Sequence, residues 1–228
     1  MGKIKSTTIN YIKVMIYFIL ILIFIVLSFI SEKIIYILDK SIDKNISNKI
    51  LILLPNMIVP ILIYTKYELN MKSISFIMLI PFLTLISIID YKTTYVYDIT
   101  ILSGIIMQSV IFIFSTELKS NSMNHLKGLL IGIVLSYIVS KITKSLGEGD
   151  VWFYGLCCFV IGKKYALFMM YLSIVFASIY GLYIIFAKKG SIKSSIPFTP
   201  FISLATVLVI LTKWDIMNLY FDILRINL

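Results

Sequence analysis

The sequence predicts an all-α fold: a polytopic transmembrane helical bundle of about eight membrane segments, formed as a single unit over residues 1–228. Three observations carry this prediction. Hydrophobic residues make up 60% of the chain and charged residues 14%, with a mean hydropathy of +0.99; soluble domains lie near half and a quarter. Several apolar stretches approach the roughly 20 residues that a helix needs to cross a bilayer. The charged side chains collect between those stretches, leaving the apolar runs almost free of charge.

The segments fall at roughly 11–31, 50–65, 74–90, 99–115, 126–142, 151–162, 164–187 and 198–212. Lys3, Lys5 and Lys13 precede the first run, as in a signal peptide, but Val14 to Ile30 is longer than a usual signal core and has no A-x-A-like cleavage site. It reads as a retained first span. The second run carries Pro55 and Pro60, which membrane helices tolerate when neighbours satisfy the freed carbonyls. The sixth is short for a crossing, so it is either tilted or continuous with the seventh through a kink at Gly162. The connectors are 32–49, 91–98, 116–125, 143–150 and 188–197, and the first has room for a short amphipathic helix through Ile34, Ile35, Ile37 and Leu38. After Trp214, the polar residues Asp215, Asn218, Asp222 and Arg225 recur at helical spacing among apolar ones. Residues 213–228 therefore read as an interfacial amphipathic helix.

The net charge is +10, but the lysines lie between apolar runs. This pattern fits snorkelling and contact with anionic lipid headgroups, not nucleic acid. Cys157 and Cys158 are adjacent within an apolar run, which suits buried, inert thiols better than a zinc pair or a disulfide framework. His125 reads as an interfacial loop residue, and with no His/Cys ligand cluster no metal is expected.

Two acids stand out. Asp90 and Asp150 each lie at the edge of an apolar run, where a carboxylate is unfavourable unless it is used or paired. Two predicted crossings, 99–115 and 126–142, separate them, so parity places both at one face of the bundle. Two carboxylates held close do not both ionise easily and share a proton. The ionised member can activate water while the protonated one polarises a peptide carbonyl. Gly147 and Gly149, flanking Glu148, would allow an irregular turn and close approach of a substrate backbone. Structural roles compete with this reading. Asp150 is well placed as an N-cap, Asp90 could cap a turn or pair with Lys92, Asp98 reads as the N-cap of the fourth helix, and Glu148 reads as a solvated loop residue.

The stretch Ser87-Ile-Ile-Asp-Tyr-Lys-Thr-Thr-Tyr-Val-Tyr-Asp98 resembles the first-aspartate segment of the type IV prepilin peptidases, the A24 family of aspartic peptidases. Gly147-Glu148-Gly149-Asp150-Val151 is similar to that family's GxGD segment, and Ile196-Pro197-Phe198-Thr199-Pro200-Phe201 to its later Pro-Phe-Gly-Pro segment. The resemblance covers roughly residues 74–210. It implies a single integral membrane peptidase domain in which Asp90 and Asp150 are catalytic and Gly147, Glu148, Gly149 and Pro197 belong to substrate-binding loops. It further implies that the chain cleaves the basic leader from prepilin or pseudopilin precursors, as in type IV pilus assembly and protein secretion. The active site would face the cytoplasm from the cell inner membrane, with membrane lipids as further partners.

This chain departs from the family pattern in three respects. Tyr97 stands where a Pro is usual and Thr199 where a Gly is usual. The connector 32–49 lacks the cysteines of the cytoplasmic insert found in many bacterial members, which also N-methylate their product. Cleavage needs no cofactor, and S-adenosylmethionine enters only if methyl transfer is retained. Two alternatives use the same acids: presenilin-like cleavage within a membrane span, and a proton- or cation-coupled transporter. Charge does not choose the orientation, because ten of the 21 Lys and Arg residues fall on the aspartates' side.

Overall fold

The computed structural model describes residues 2–42, 45–144, 146–188 and 196–212, with backbone alone at 2–14, 187 and 188. Among the described residues there are nine helices and no strand. They are α1 (Gly2–Leu38), α2 (Ile46–Tyr67), α3 (Met71–Thr93), α4 (Asp98–Phe114), α5 (Thr116–Ser120), α6 (Ser122–Thr143), α7 (Glu148–Ile161), α8 (Lys163–Lys188) and α9 (Thr199–Leu211). Five stretches are long and apolar enough to cross a membrane: Met15–Leu38, Ile46–Tyr67, Met71–Thr93, Ser122–Thr143 and Lys163–Phe186. The protein is thus an all-α polytopic helical membrane protein. The helix expected over 213–228 and most of the connector 188–197 lie outside the described residues.

Two boundaries differ from expectation. Residues 32–38 form no separate amphipathic helix; they prolong α1 until the Asp39 carboxylate takes the Ser41 N–H and hydroxyl at 2.9 and 2.6 Å. Residues 116–120 form a short helix within a predicted connector, started by the Ser115 hydroxyl accepting Leu118 N–H at 3.1 Å. Such a cap supplies a partner to an otherwise orphaned donor.

Hydrogen bonds at the helix ends set the directions. The Tyr67 hydroxyl donates to Ile210 O at 2.8 Å, joining the ends of α2 and α9. Thr199 N–H donates to Asp90 at 2.9 Å, joining the start of α9 to the end of α3. α9 therefore runs with α2 and against α3. α3 begins with a reciprocal box in which Ser73 N–H bonds Asn70 Oδ1 and Asn70 N–H bonds Ser73 Oγ. It is the central helix, with Phe76, Leu79, Ile80, Leu83, Ile86 and Ile89 fully buried. Polar pairs pin it inside the apolar core: Ser75 to Gln108 of α4 at 2.7 Å, and Thr84 to Asn56 of α2 at 3.0 Å. Outward, Phe18, Leu22, Phe114, Leu130 and Phe186 are exposed on α1, α4, α6 and α8. Lipid is the natural solvent for such a surface.

Small residues hold α6 against α7. A Cβ on Gly128 would lie 2.4 Å from Cys158 O, and one on Gly132 would lie 2.7 Å from Tyr154 O. One on Gly155 would lie 2.7 Å from Ile133. This is the close backbone approach that small-xxx-small spacing permits in membranes. At Gly162 the φ of 86° breaks the chain between α7 and α8, so the sixth and seventh predicted segments form two packed helices instead of one kinked helix. His125 is no loop residue. It sits buried in the first turn of α6, its Nδ1 donating to Phe159 O at 2.8 Å, with its ring edge-on to Phe112. A terminal carbonyl of α7 is thereby satisfied. Cys157 and Cys158 are free and fully buried.

Candidate active site

Asp90 lies in the last turn of α3, just before the helix ends at Thr94, whose φ is 54° and whose N–H bonds Asp90 O at 2.7 Å. Its side chain is 4% exposed. The carboxylate neither caps a turn nor pairs with Lys92; Oδ2 accepts Thr199 N–H at 2.9 Å, at the first residue of α9. The Thr199 hydroxyl and the Phe198 N–H interact with the same carboxylate. Pro200 follows within the first turn, where its missing N–H has no intrahelical partner to lose. One turn away on each helix, the Ser87 and Ser203 hydroxyls meet at 2.6 Å, and Ser203 also donates to Leu83 O at 3.3 Å. A seam of hydroxyls thus fastens α3 to α9 beside Asp90.

Asp150 is the third residue of α7. Oδ2 accepts Gly147 N–H at 3.0 Å, which is the capping function expected of an acid in this turn, while Oδ1 is buried without a hydrogen-bond partner among the described residues. Its carboxyl is pushed up to about 7, first by burial and then by the charge of Asp90, against the opposing Gly147 bond. The structure therefore brings the two acids into one electrostatic neighbourhood at one end of the bundle, as parity predicts. Tyr154 of α7 and Phe198 before α9 close the same region, with ring centroids 6.2 Å apart.

The flanking glycines serve contacts within the protein. Gly147 has an ordinary extended φ of −70°, so no irregular backbone is required there. A Cβ on Gly149 would lie 2.7 Å from Val96 Cβ, so this glycine lets the α3–α4 connector rest on the start of α7. Glu148 is exposed and Pro197 is half-buried just before α9. Asp98 is not the N-cap of α4. Tyr97 occupies that position without a side-chain bond, and Asp98 is an exposed first-turn acid. Asp98→Ala should lower stability by only about 0.5 kcal/mol through the helix dipole, as thermal unfolding would show.

An apolar cavity of about 610 Å³ lies beside this seam between α2, α3 and α9, lined by residues that include Leu54, Pro55, Leu83, Ile88, Tyr91 and Pro200. Neither acid lines it. Among the described residues no three His, Cys, Asp or Glu side chains gather where a metal ion could be held. Thr199 is the site residue that sequence reasoning left as a mere departure. Its signal was its place immediately before Pro200, which marks a helix start and hence a row of free N–H groups.

Fold and site define a multi-pass helical membrane protein with two linked, buried carboxylates at the ends of its helices. Residues 77–182 match the model of the type IV leader peptidase family, a similarity that supports a prepilin-peptidase-type protein. The matched stretch contains Asp90, Gly147, Gly149 and Asp150 and ends before α9. No curated protein and no solved structure matches the chain.

Proposed function

We propose that the chain is an aspartic endopeptidase that removes the basic leader from prepilin- or pseudopilin-like precursors, with Asp90 and Asp150 as its catalytic pair. The observation that carries this reading is the pair itself: two buried aspartates, each at a helix end, close enough that the charge of one acts on the other. A pair of this kind holds one proton between two carboxyls. The ionised member takes a proton from water as the water oxygen attacks the peptide carbon, and the protonated member gives its proton to the carbonyl oxygen. The resulting diol collapses with cleavage of the C–N bond and proton transfer to the leaving amine. In this reading Gly147, Glu148 and Gly149 at the start of α7 and Pro197 just before α9 border the substrate.

The substrate's apolar helix packs in lipid against the exposed faces of the bundle, and its polar leader stays in water at the aspartates' end. We assign that end to the cytoplasmic side of the inner membrane. Cleavage needs no cofactor, and methylation of the new terminus would call for S-adenosylmethionine. The test is co-expression with a candidate prepilin, followed by N-terminal sequencing and intact mass of the product. Loss of the leader alone is the expected result. An added methyl group would show a second activity, and an uncut precursor in a correctly inserted preparation would refute the proposal.

A further inference from the structure

We propose that Thr199 is a positioning residue that gives the two acids unequal roles, holding Asp90 as the ionised, water-activating member and leaving Asp150 as the member that carries the shared proton. The inference rests on the peptidase reading above and goes beyond it in assigning the roles. It is drawn from a residue outside the matched family stretch.

The two carboxyls have opposite surroundings. Asp90 Oδ2 receives the Thr199 N–H at 2.9 Å, and the Thr199 hydroxyl and the Phe198 N–H interact with the same group. Donors converging at a helix start favour a carboxylate. Thr199 is itself fully buried, and its helix is fastened by the Ser87–Ser203 pair. Among the described residues, Asp150 has one donor, Gly147 N–H, and a buried Oδ1 with no partner. A buried, undonated carboxyl oxygen is the natural seat of a proton, and once protonated it becomes a donor for a peptide carbonyl.

Among the described residues, the other titratable groups toward this end are few, and one of them, Asp39 at the end of α1, is engaged by the Tyr97 hydroxyl at 3.4 Å. α9 carries no titratable side chain over Thr199–Leu211, and Lys92 and Tyr91 on α3 are exposed. From the facing elements come exposed Glu148 at the start of α7, exposed Asp98 on α4, and Tyr95 and Tyr97 on the connector, with Tyr154 further along α7. With these roles the reaction balances. Asp90 takes the water proton as the C–O bond forms, and Asp150 gives its proton to the carbonyl oxygen. Asp90 then protonates the leaving nitrogen as the C–N bond breaks, and Asp150 recovers a proton from the diol.

Isotope-edited infrared spectroscopy of the full chain in bilayers at mildly acidic pH, with aspartate carboxyls labelled, reads the roles without any cleavage assay. The protonated-carboxyl band should be lost in Asp150→Asn and kept in Asp90→Asn, where burial still acts on Asp150. Loss in Asp90→Asn, or retention in Asp150→Asn, would overturn the assignment even if the chain is a peptidase. The role of Thr199 is read from the pH–rate profile with a synthetic peptide carrying a lysine leader and an apolar helix. Thr199→Val keeps the N–H and the volume, and it should cut the rate about tenfold and move the acidic limb to higher pH, while Thr199→Ser restores both. A lower rate with an unmoved acidic limb would reduce Thr199 to a packing residue and refute its positioning role.

Discussion

Asp90→Asn or Asp150→Asn is expected to abolish leader cleavage, each lowering the rate by about 10²- to 10⁴-fold or more, while the protein still accumulates in the membrane. The amide has nearly the shape of the acid but cannot exchange the proton. In Asp90→Asn the side-chain oxygen can still accept Thr199 N–H, so the α3–α9 junction should survive. In Asp150→Asn the oxygen can still accept Gly147 N–H. Cleavage of a prepilin-like substrate, with extraction and thermal unfolding of the same samples, separates chemistry from folding. Normal processing by either variant would remove the aspartic mechanism.

Gly128→Val should have the largest effect on stability. The first added carbon would lie 2.4 Å from Cys158 O and 2.9 Å from Gly162 C, both of them backbone that cannot swing away. Overpacking of this kind costs about 1–3 kcal/mol or more, and here it would force α6 off α7. Gly181→Ala is the control, because its Cβ would meet only the tip of Ile196 at 3.3 Å. Thermal unfolding in detergent should show a clear drop for Gly128→Val and little change for Gly181→Ala. Since α7 carries Asp150, the destabilised variant should also lose cleavage.

Much of this arrangement is legible in the sequence because membrane helices are written as long apolar runs. The runs predict α2, α3, α4 and α6 closely, and counting them places Asp90 and Asp150 at one end. Runs do not reveal how helices face one another. Gly128 and Gly132 lie within an apolar stretch with small-xxx-small spacing, yet only the backbone of α7 against them shows their purpose. His125 is polar at the edge of a run and so reads as a loop residue, whereas a carbonyl 34 positions away makes its burial favourable. Asp98 looks like a cap because local pattern cannot tell the cap position from the one after it. Thr199 acts through a bond spanning 109 positions, beyond the reach of any local pattern. Residues 32–38 read as connector because they are polar in places, but an exposed helix can extend past the hydrocarbon layer where water accepts its charges.

Helix α7 has 14 residues and covers about 21 Å, less than the roughly 30 Å hydrocarbon layer. Eleven of those residues are buried, packed by α4, α6, α8 and α9. Protein, not lipid, is therefore the solvent of the helix that carries Asp150. A thicker or thinner bilayer acts on the outward faces of α1, α4, α6 and α8, which answer by tilting. Asp150 is thus held at its depth mainly by neighbouring helices, Asp90 is tied to the same end through α9, and the site should keep its geometry in membranes of differing thickness.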